Sequence, residues 1–234
     1  MQASSSKSAL LRGLRAGGPF VLVAAPFGTL FGIVGTEAGL DFGAVMAFST
    51  LVIAGASQFT AVQLMSDHAP MIVVLASALA VNLRMAMYSA ALQPHIGAAP
   101  LWQRALIAYS NTDQSFAVSL SEYEEHPERS AKEKATFFLG TAIPVMSTWV
   151  VATWVGVVLG AAIPPELALD FALPVTFLSL IGPALKTRAH VGAAIVSVVL
   201  ALALAWIPFN LGLILAALGA MATGAELERR GYGR

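Results

Sequence analysis

An all-α, polytopic helical bundle set in a membrane is the fold that this sequence predicts, and three observations carry it. Hydrophobic residues make up 57% of the 234 and charged residues only 11%, with a mean hydropathy of +0.76, far from the balance of a soluble domain. Charges gather in a few short stretches between long apolar runs, the layout of repeated spans and not of one anchor on a soluble body. Several of those runs contain Pro or Gly beside polar residues, as the discontinuous helices of transporters do. The chain therefore reads as a single transmembrane permease domain, 1–234. It has no cysteine, which excludes disulfides, thiolate metal sites and a cysteine nucleophile.

Taken in order, residues 1–16 with Lys7, Arg12 and Arg15 form a cytoplasmic tail. The start has the look of a secretory signal, but Pro26 would follow the cleavage point and the apolar run continues to Gly35, long enough to span. The first span is 17–36, which Pro26 with Gly28 is expected to interrupt; Gly28 and Gly32 have the spacing of close helix packing. The second, 43–65, contains "AGASQF" (54–59), where Gly55 with Ser57 marks a break. The third, 70–92, carries Asn82 and Arg84, and the fourth, 101–120, carries "YSNTDQSFAV" (109–118). A polar cytoplasmic loop, 121–135, leads to the fifth, 136–163, with Pro144 and the Gly156/Gly160 pair. The sixth is 169–184, interrupted by Pro174. As one helix, 191–223 would be about 50 Å long against a hydrocarbon core of about 30 Å, so Pro208 and Asn210 divide it into 191–207 and 209–223. That makes eight segments, or seven if the last run is not divided, followed by a cytoplasmic tail, 224–234.

Lysine and arginine support this order. With the N-terminus inside, eleven of the thirteen fall on the cytoplasmic side, as short cytoplasmic loops require. The exceptions are Arg104, placed near an outer end, and Arg84.

Arg84 lies about 21 Å along its helix by helical rise, where an arginine costs about 2.5–3.5 kcal/mol on insertion scales. It snorkels or it has a partner. Ser77, Arg84 and Tyr88 share one helical face, with Asn82 on an adjoining one. Asp113 is the natural partner, from the other strongly polar patch inside a span. The pair is either a permanent lock between helices or one that opens in transport, with Asp113 exchanging a proton or Arg84 released to hold a substrate carboxylate. Around "AGASQF", small residues allow a helix to unwind, and Ser57 and Gln58 offer donors and acceptors. Such a site suits an amino acid zwitterion, although ordinary interhelical hydrogen bonding explains Ser57 and Gln58 as readily.

Four pieces, "PFGTLFGIVG" (26–35), "AGASQF" (54–59), "NLRMAMYSAAL" (82–92) and "TDQSFA" (112–117), occur in an order and at separations that resemble the AzlC family, the large subunit of bacterial branched-chain amino acid exporters. "DFALPVTFLSLIGPAL" (170–185) also fits. The resemblance implies a multi-pass permease of the bacterial inner (plasma) membrane, with both termini cytoplasmic. It would export leucine, isoleucine, valine and methionine by proton exchange, together with a small AzlD-type membrane subunit of about four spans. It places the family's patterned residues at Gly55, Ser57, Gln58, Asn82, Arg84 and Asp113. An acidic residue often follows that aspartate in the family, whereas Gln114 stands here, leaving one carboxylate fewer to carry protons. With Gly28, these residues are the candidate substrate site, Arg84 and Asp113 forming the ion pair or proton-coupling element.

Competing readings are a transporter of another small neutral solute, a membrane assembly subunit without transport, and an intramembrane serine hydrolase. The last needs a base near Ser57, but His68, His95, His126 and His190 all fall at segment ends or in loops. No GxxxxGK[ST] occurs, so primary nucleotide-driven pumping by this chain is excluded. The chain is expected to lie in the lipid bilayer and not to be an enzyme, and no cofactor, metal or nucleic acid partner is expected.

Overall fold

The computed structural model describes residues 2–162, 185, 187–207 and 211–231, so the sixth expected segment, with Pro174, and the Pro208–Asn210 break lie outside the described residues. Among those described, every regular element is helical: α1 (Gln2–Gly17), α2 (Val21–Glu37), α3 (Phe42–Ala47), α4 (Gly55–Ser66), α5 (Met71–Ile96), α6 (Leu101–Tyr109), α7 (Asp113–Glu125), α8 (Ala131–Gly160), α9 (Arg188–Ala203) and α10 (Leu211–Arg229). The protein is an all-α membrane protein. By length and composition, Lys7–Glu37, Met71–Ile96, Ala131–Gly160 and Leu211–Arg229 suffice to cross a bilayer.

Two compact units divide the chain: 1–63 with 78–163, and 64–77 with 164–234. In the second, α9 and α10 run antiparallel, with Gly192 facing Leu227, Gly219 facing Leu200 and Gly212 facing Leu204. In the first, α1 and α2 run parallel to α8 along a seam of small residues. Gly13 meets Gly140, Gly17 meets Thr141 and Pro144, Gly32 meets Gly156, and Gly160 meets Ile33. A Cβ on Gly32 would lie 2.7 Å from the Val157 nitrogen, so the two backbones touch because neither carries a side chain there.

That seam explains two differences from the sequence reading. α2 runs unbroken through Pro26 and α8 through Pro144; one missing hydrogen bond is tolerated where a neighbouring helix holds the backbone. The interruption falls instead at the 3₁₀ turn Gly18–Phe20, beside the point where the Pro144 ring packs on Gly17. Residues 2–16, allotted to a tail, belong to a helix, Gln2–Gly17, whose Ala9 is fully buried.

α1, α7 and α8 are tied together at one end of this unit. Arg12 Nη2 lies 3.0 Å from Glu133 Oε1 and its Nε 3.6 Å from Glu122 Oε1, while Arg129 also pairs with Glu122. The Tyr123 hydroxyl, whose pKa burial pushes above its ordinary value, donates to the Lys134 carbonyl at 2.8 Å. Lys134 Nζ in turn donates to the Pro127 carbonyl at 3.1 Å.

The expected second and fourth spans are each divided. In the second, α3 gives way to a π-helical turn, Phe48–Val52. Ile53 follows in the left-handed region at φ 39°, ψ 49°, a conformation costing a β-branched residue about 1–2 kcal/mol. Here the chain folds back. Phe48 and Phe59 would be about 16 Å apart on one straight helix, yet both rings flank Phe31, at 6.3 and 5.4 Å between centroids.

In the fourth, the break is at 110–112, between α6 and α7. α6 starts beside the end of α5, where Arg104 Nη1 donates to the Gly97 carbonyl, and beside the start of α8, where Gln103 Nε2 donates to Thr136 Oγ1. α7 returns to the same end: the His95 ring lies 5.3 Å from Tyr123, and Tyr123 reaches Lys134. Residues 101–125 therefore enter and leave at one end. Arg104, expected at the opposite end from the 121–135 loop, lies at the same end as that loop.

Candidate functional site

The break at 110–112 is written in side chains that compete with helical backbone for hydrogen bonds. Thr112 is the N-cap of α7: its hydroxyl accepts from the Ser115 N–H at 3.3 Å and the Ser115 hydroxyl accepts from the Thr112 N–H at 3.0 Å, a reciprocal capping box. The first residue of α7 is consequently Asp113. Its carboxylate sits at the helix N-terminus, where unpaired N–H groups favour negative charge.

Across from it stands the middle of α5. Arg84 Nη1 lies 3.1 Å from Asp113 Oδ2, and the Tyr88 hydroxyl donates to Asp113 Oδ1 at 3.0 Å. Tyr88 is itself fixed by stacking on Phe116, centroids 4.1 Å apart at 10°. The carboxylate is thus gripped on both oxygens, with the arginine and tyrosine one helical turn apart on one face. The guanidinium is not used up. Arg84 Nε is buried without a partner, as are the amide oxygens Oδ1 of Asn82 and of Asn111. Buried polar atoms left unmet are costly and uncommon.

The two breaks meet. A π-helical turn ending in a left-handed residue leaves carbonyls without helical partners. Two of these are satisfied by side chains: Gln58 Nε2 donates to the Phe48 carbonyl, and the Tyr109 hydroxyl, at the end of α6, donates to the Thr50 carbonyl.

The remaining candidates gather elsewhere. Gly28 faces Trp149 and Ala152 on α8, and Gly55 lies against the Trp149 ring, where a Cβ on either would come within 3.0 Å of its neighbour. The Ser57 hydroxyl donates to the Ala54 carbonyl at 2.9 Å and Gln58 is almost fully buried. Gly28 seats α2 on α8, while Gly55, Ser57 and Gln58 hold the α3–α4 hairpin around Phe31, Phe48, Phe59 and Trp149, with Gln58 Oε1 buried and without a partner. Arg84, Asp113 and Asn82 belong to the polar group on α5 and α7. The π turn joins the two groups through its Phe48 and Thr50 carbonyls.

Sequence reasoning noted Tyr88 only as part of a polar stripe and missed Tyr109, Thr50, Asn111 and Phe116. The signal for the break was present: "SNTDQS" is N-cap and turn chemistry inside an apolar run.

Comparison with known proteins gives a consistent result. The AzlC protein family model matches residues 19–163. An uncharacterized membrane protein of Archaeoglobus fulgidus is 32% identical over 239 residues, covering 96% of this chain and 99% of that protein. Inner membrane protein YgaZ of Escherichia coli is 25% identical over 184 residues, 76% of this chain and 74% of its own length. No solved structure matches.

Proposed function

Because the chain belongs to the AzlC family, a group of transporter-type membrane proteins, we propose that it exports branched-chain amino acids, leucine, isoleucine and valine, with methionine as a further substrate. The unmet polar groups beside the Arg84–Asp113 pair carry this reading. An amino acid presents a carboxylate and an ammonium a bond apart from a common carbon. Arg84 Nε is a free donor for the first, and the Asn82 and Asn111 amide oxygens are free acceptors for the second. All three lie on α5 and at the junction of a broken helix, where transporters place polar substrates.

On this reading the substrate carboxylate takes the place of Asp113 on Arg84. Asp113, released from its cation, joins the Asn82 and Asn111 oxygens around the substrate ammonium, and a proton taken up from outside neutralises that carboxylate and releases the substrate, so a proton enters as substrate leaves. Gly28 supports the site by seating α2 on α8, and Gly55, Ser57 and Gln58 by fixing the α3–α4 fold. A small AzlD-type subunit accompanies the chain in a bacterial inner membrane, both termini facing the cytoplasm.

The test is to feed cells a valine- or leucine-containing dipeptide and measure intracellular amino acid pools with and without the chain and its companion. Expression should lower the branched-chain pools, Arg84→Gln should abolish the effect, and Asp113→Asn should remove its dependence on external pH. Unchanged leucine, isoleucine and valine pools would sink the substrate assignment. Normal export by Asp113→Asn with unaltered pH dependence would sink the coupling role alone.

A further inference from the structure

We propose that 42–66 and 101–125 are two re-entrant helical hairpins that enter the membrane from opposite faces and close on each other at Tyr109 and Thr50, each gating one side of the path. The gating half rests on the transport reading; the topology does not.

Several contacts fix the directions. α1–α2 and α8 run the same way along their glycine seam, and α3 starts where α2 ends, with Val45 packed on Gly35. Ser49 then pairs with Thr153 Oγ1 at 2.8 Å, several residues back along α8, and Gly55 meets Trp149. The chain is descending from the C-terminal end of α8. After Ile53 it turns back, since Phe59 returns to Phe31 and Gln58 to Phe48.

α5 runs opposite to α8, because His95 near its end meets Tyr123, which holds Lys134 near the start of α8. From that end α6 climbs until Asn111 reaches the Met85 carbonyl, and α7 descends beside α5, matching Asp113 to Arg84, Phe116 to Tyr88 and Tyr123 to His95. A long helix followed by a hairpin from its far end thus occurs twice, in opposite senses. That is the pattern of an inverted repeat.

An independent observation agrees. With 101–125 as a hairpin, Arg104 joins Lys7, Arg12, Arg15, Arg129, Lys132 and Lys134 toward one end of the unit. Arg84 becomes the one exception among that unit's lysines and arginines, as charge bias in membrane loops would have it.

The chain's lack of cysteine makes single-cysteine variants of the full chain unambiguous reporters. In cells and in inverted vesicles treated with a membrane-impermeant maleimide, Leu40→Cys and Ser66→Cys should react from one surface. Ala98→Cys and Glu128→Cys should react from the other, with Gln93→Cys and Glu124→Cys duplicating that second pair. Reaction of Ala98→Cys and Glu128→Cys from opposite surfaces would overturn the hairpin at 101–125, and Leu40→Cys against Ser66→Cys does the same for 42–66. For the gate, Asn111→Cys, shielded at 5% exposure, should be modified about fivefold faster when combined with Tyr109→Phe, the factor one ordinary hydrogen bond supplies. An unchanged rate would overturn the gate. Neither readout uses a solute, so a wrong substrate assignment leaves both intact.

Discussion

Separating Arg84 from Asp113 should cost measurable stability, and the cost should be shared between them. Unit charges 3.1 Å apart attract by about 5 kcal/mol at an effective dielectric near 20 and by about 1 kcal/mol in water. The side chains are 35% and 43% accessible, so the pair lies between those limits and a coupling of about 1–3 kcal/mol is expected. Arg84→Gln leaves Asp113 the Tyr88 hydroxyl and the helix N-terminus and is the milder change. Asp113→Asn leaves a guanidinium that cannot lose its charge with no anion, and is the more severe. The double variant should be more stable than the sum of the two losses predicts. Unfolding of the four purified proteins in detergent micelles, by heat or by denaturant, measures the cycle. A coupling below about 0.5 kcal/mol, the ordinary scatter of additivity, would show that the two charges do not depend on each other and would remove the basis for a pair that opens on substrate binding.

Other outcomes follow from particular contacts. Gly32→Ala should destabilise the protein by about 1–3 kcal/mol, since backbone must move to admit the methyl group, whereas Gly18→Ala, with nothing within 4 Å, should leave the melting temperature unchanged or slightly raised. Thr112→Ala removes half of a capping box and should cost about 1 kcal/mol, read as faster hydrogen exchange in the first turn of α7. Tyr123→Phe removes the bond to the Lys134 carbonyl and should cost about 1 kcal/mol; unaltered stability would show that the hydroxyl finds no better partner in the fold than in water.

The class of fold and the polar residues at its centre were legible because hydropathy and isolated charge are local properties. An arginine in an apolar run stands out whatever surrounds it, and Asp113 stood out for the same reason. The path of the chain was less legible. A run such as 101–120 has the length and apolarity of a span, and only the capping chemistry of Ser110, Asn111 and Thr112 reveals that it turns round. Pro26 and Pro144 gave the opposite error, since local sequence cannot show that a neighbouring backbone will hold a helix straight through a missing hydrogen bond. The break beside Gly55 was legible in "AGASQF", but the left-handed conformation of Ile53 just before it had no signal of its own. Isoleucine is among the residues least suited to that conformation, so tertiary contacts impose it, and the Gly55–Trp149 and Phe48–Gln58 contacts on either side are the ones that do so.

The side-chain-free contact between α1–α2 and α8 makes those helices a stationary frame, since two backbones in register cannot slide without losing every close approach together. Variation along that frame would be read in a mutational scan as loss of protein from the cell. Changes around Tyr109 and Thr50 would instead leave abundance near normal and alter turnover. Two such maps, one of quantity and one of rate, would therefore divide the chain into its scaffold and its working parts without a ligand ever being identified.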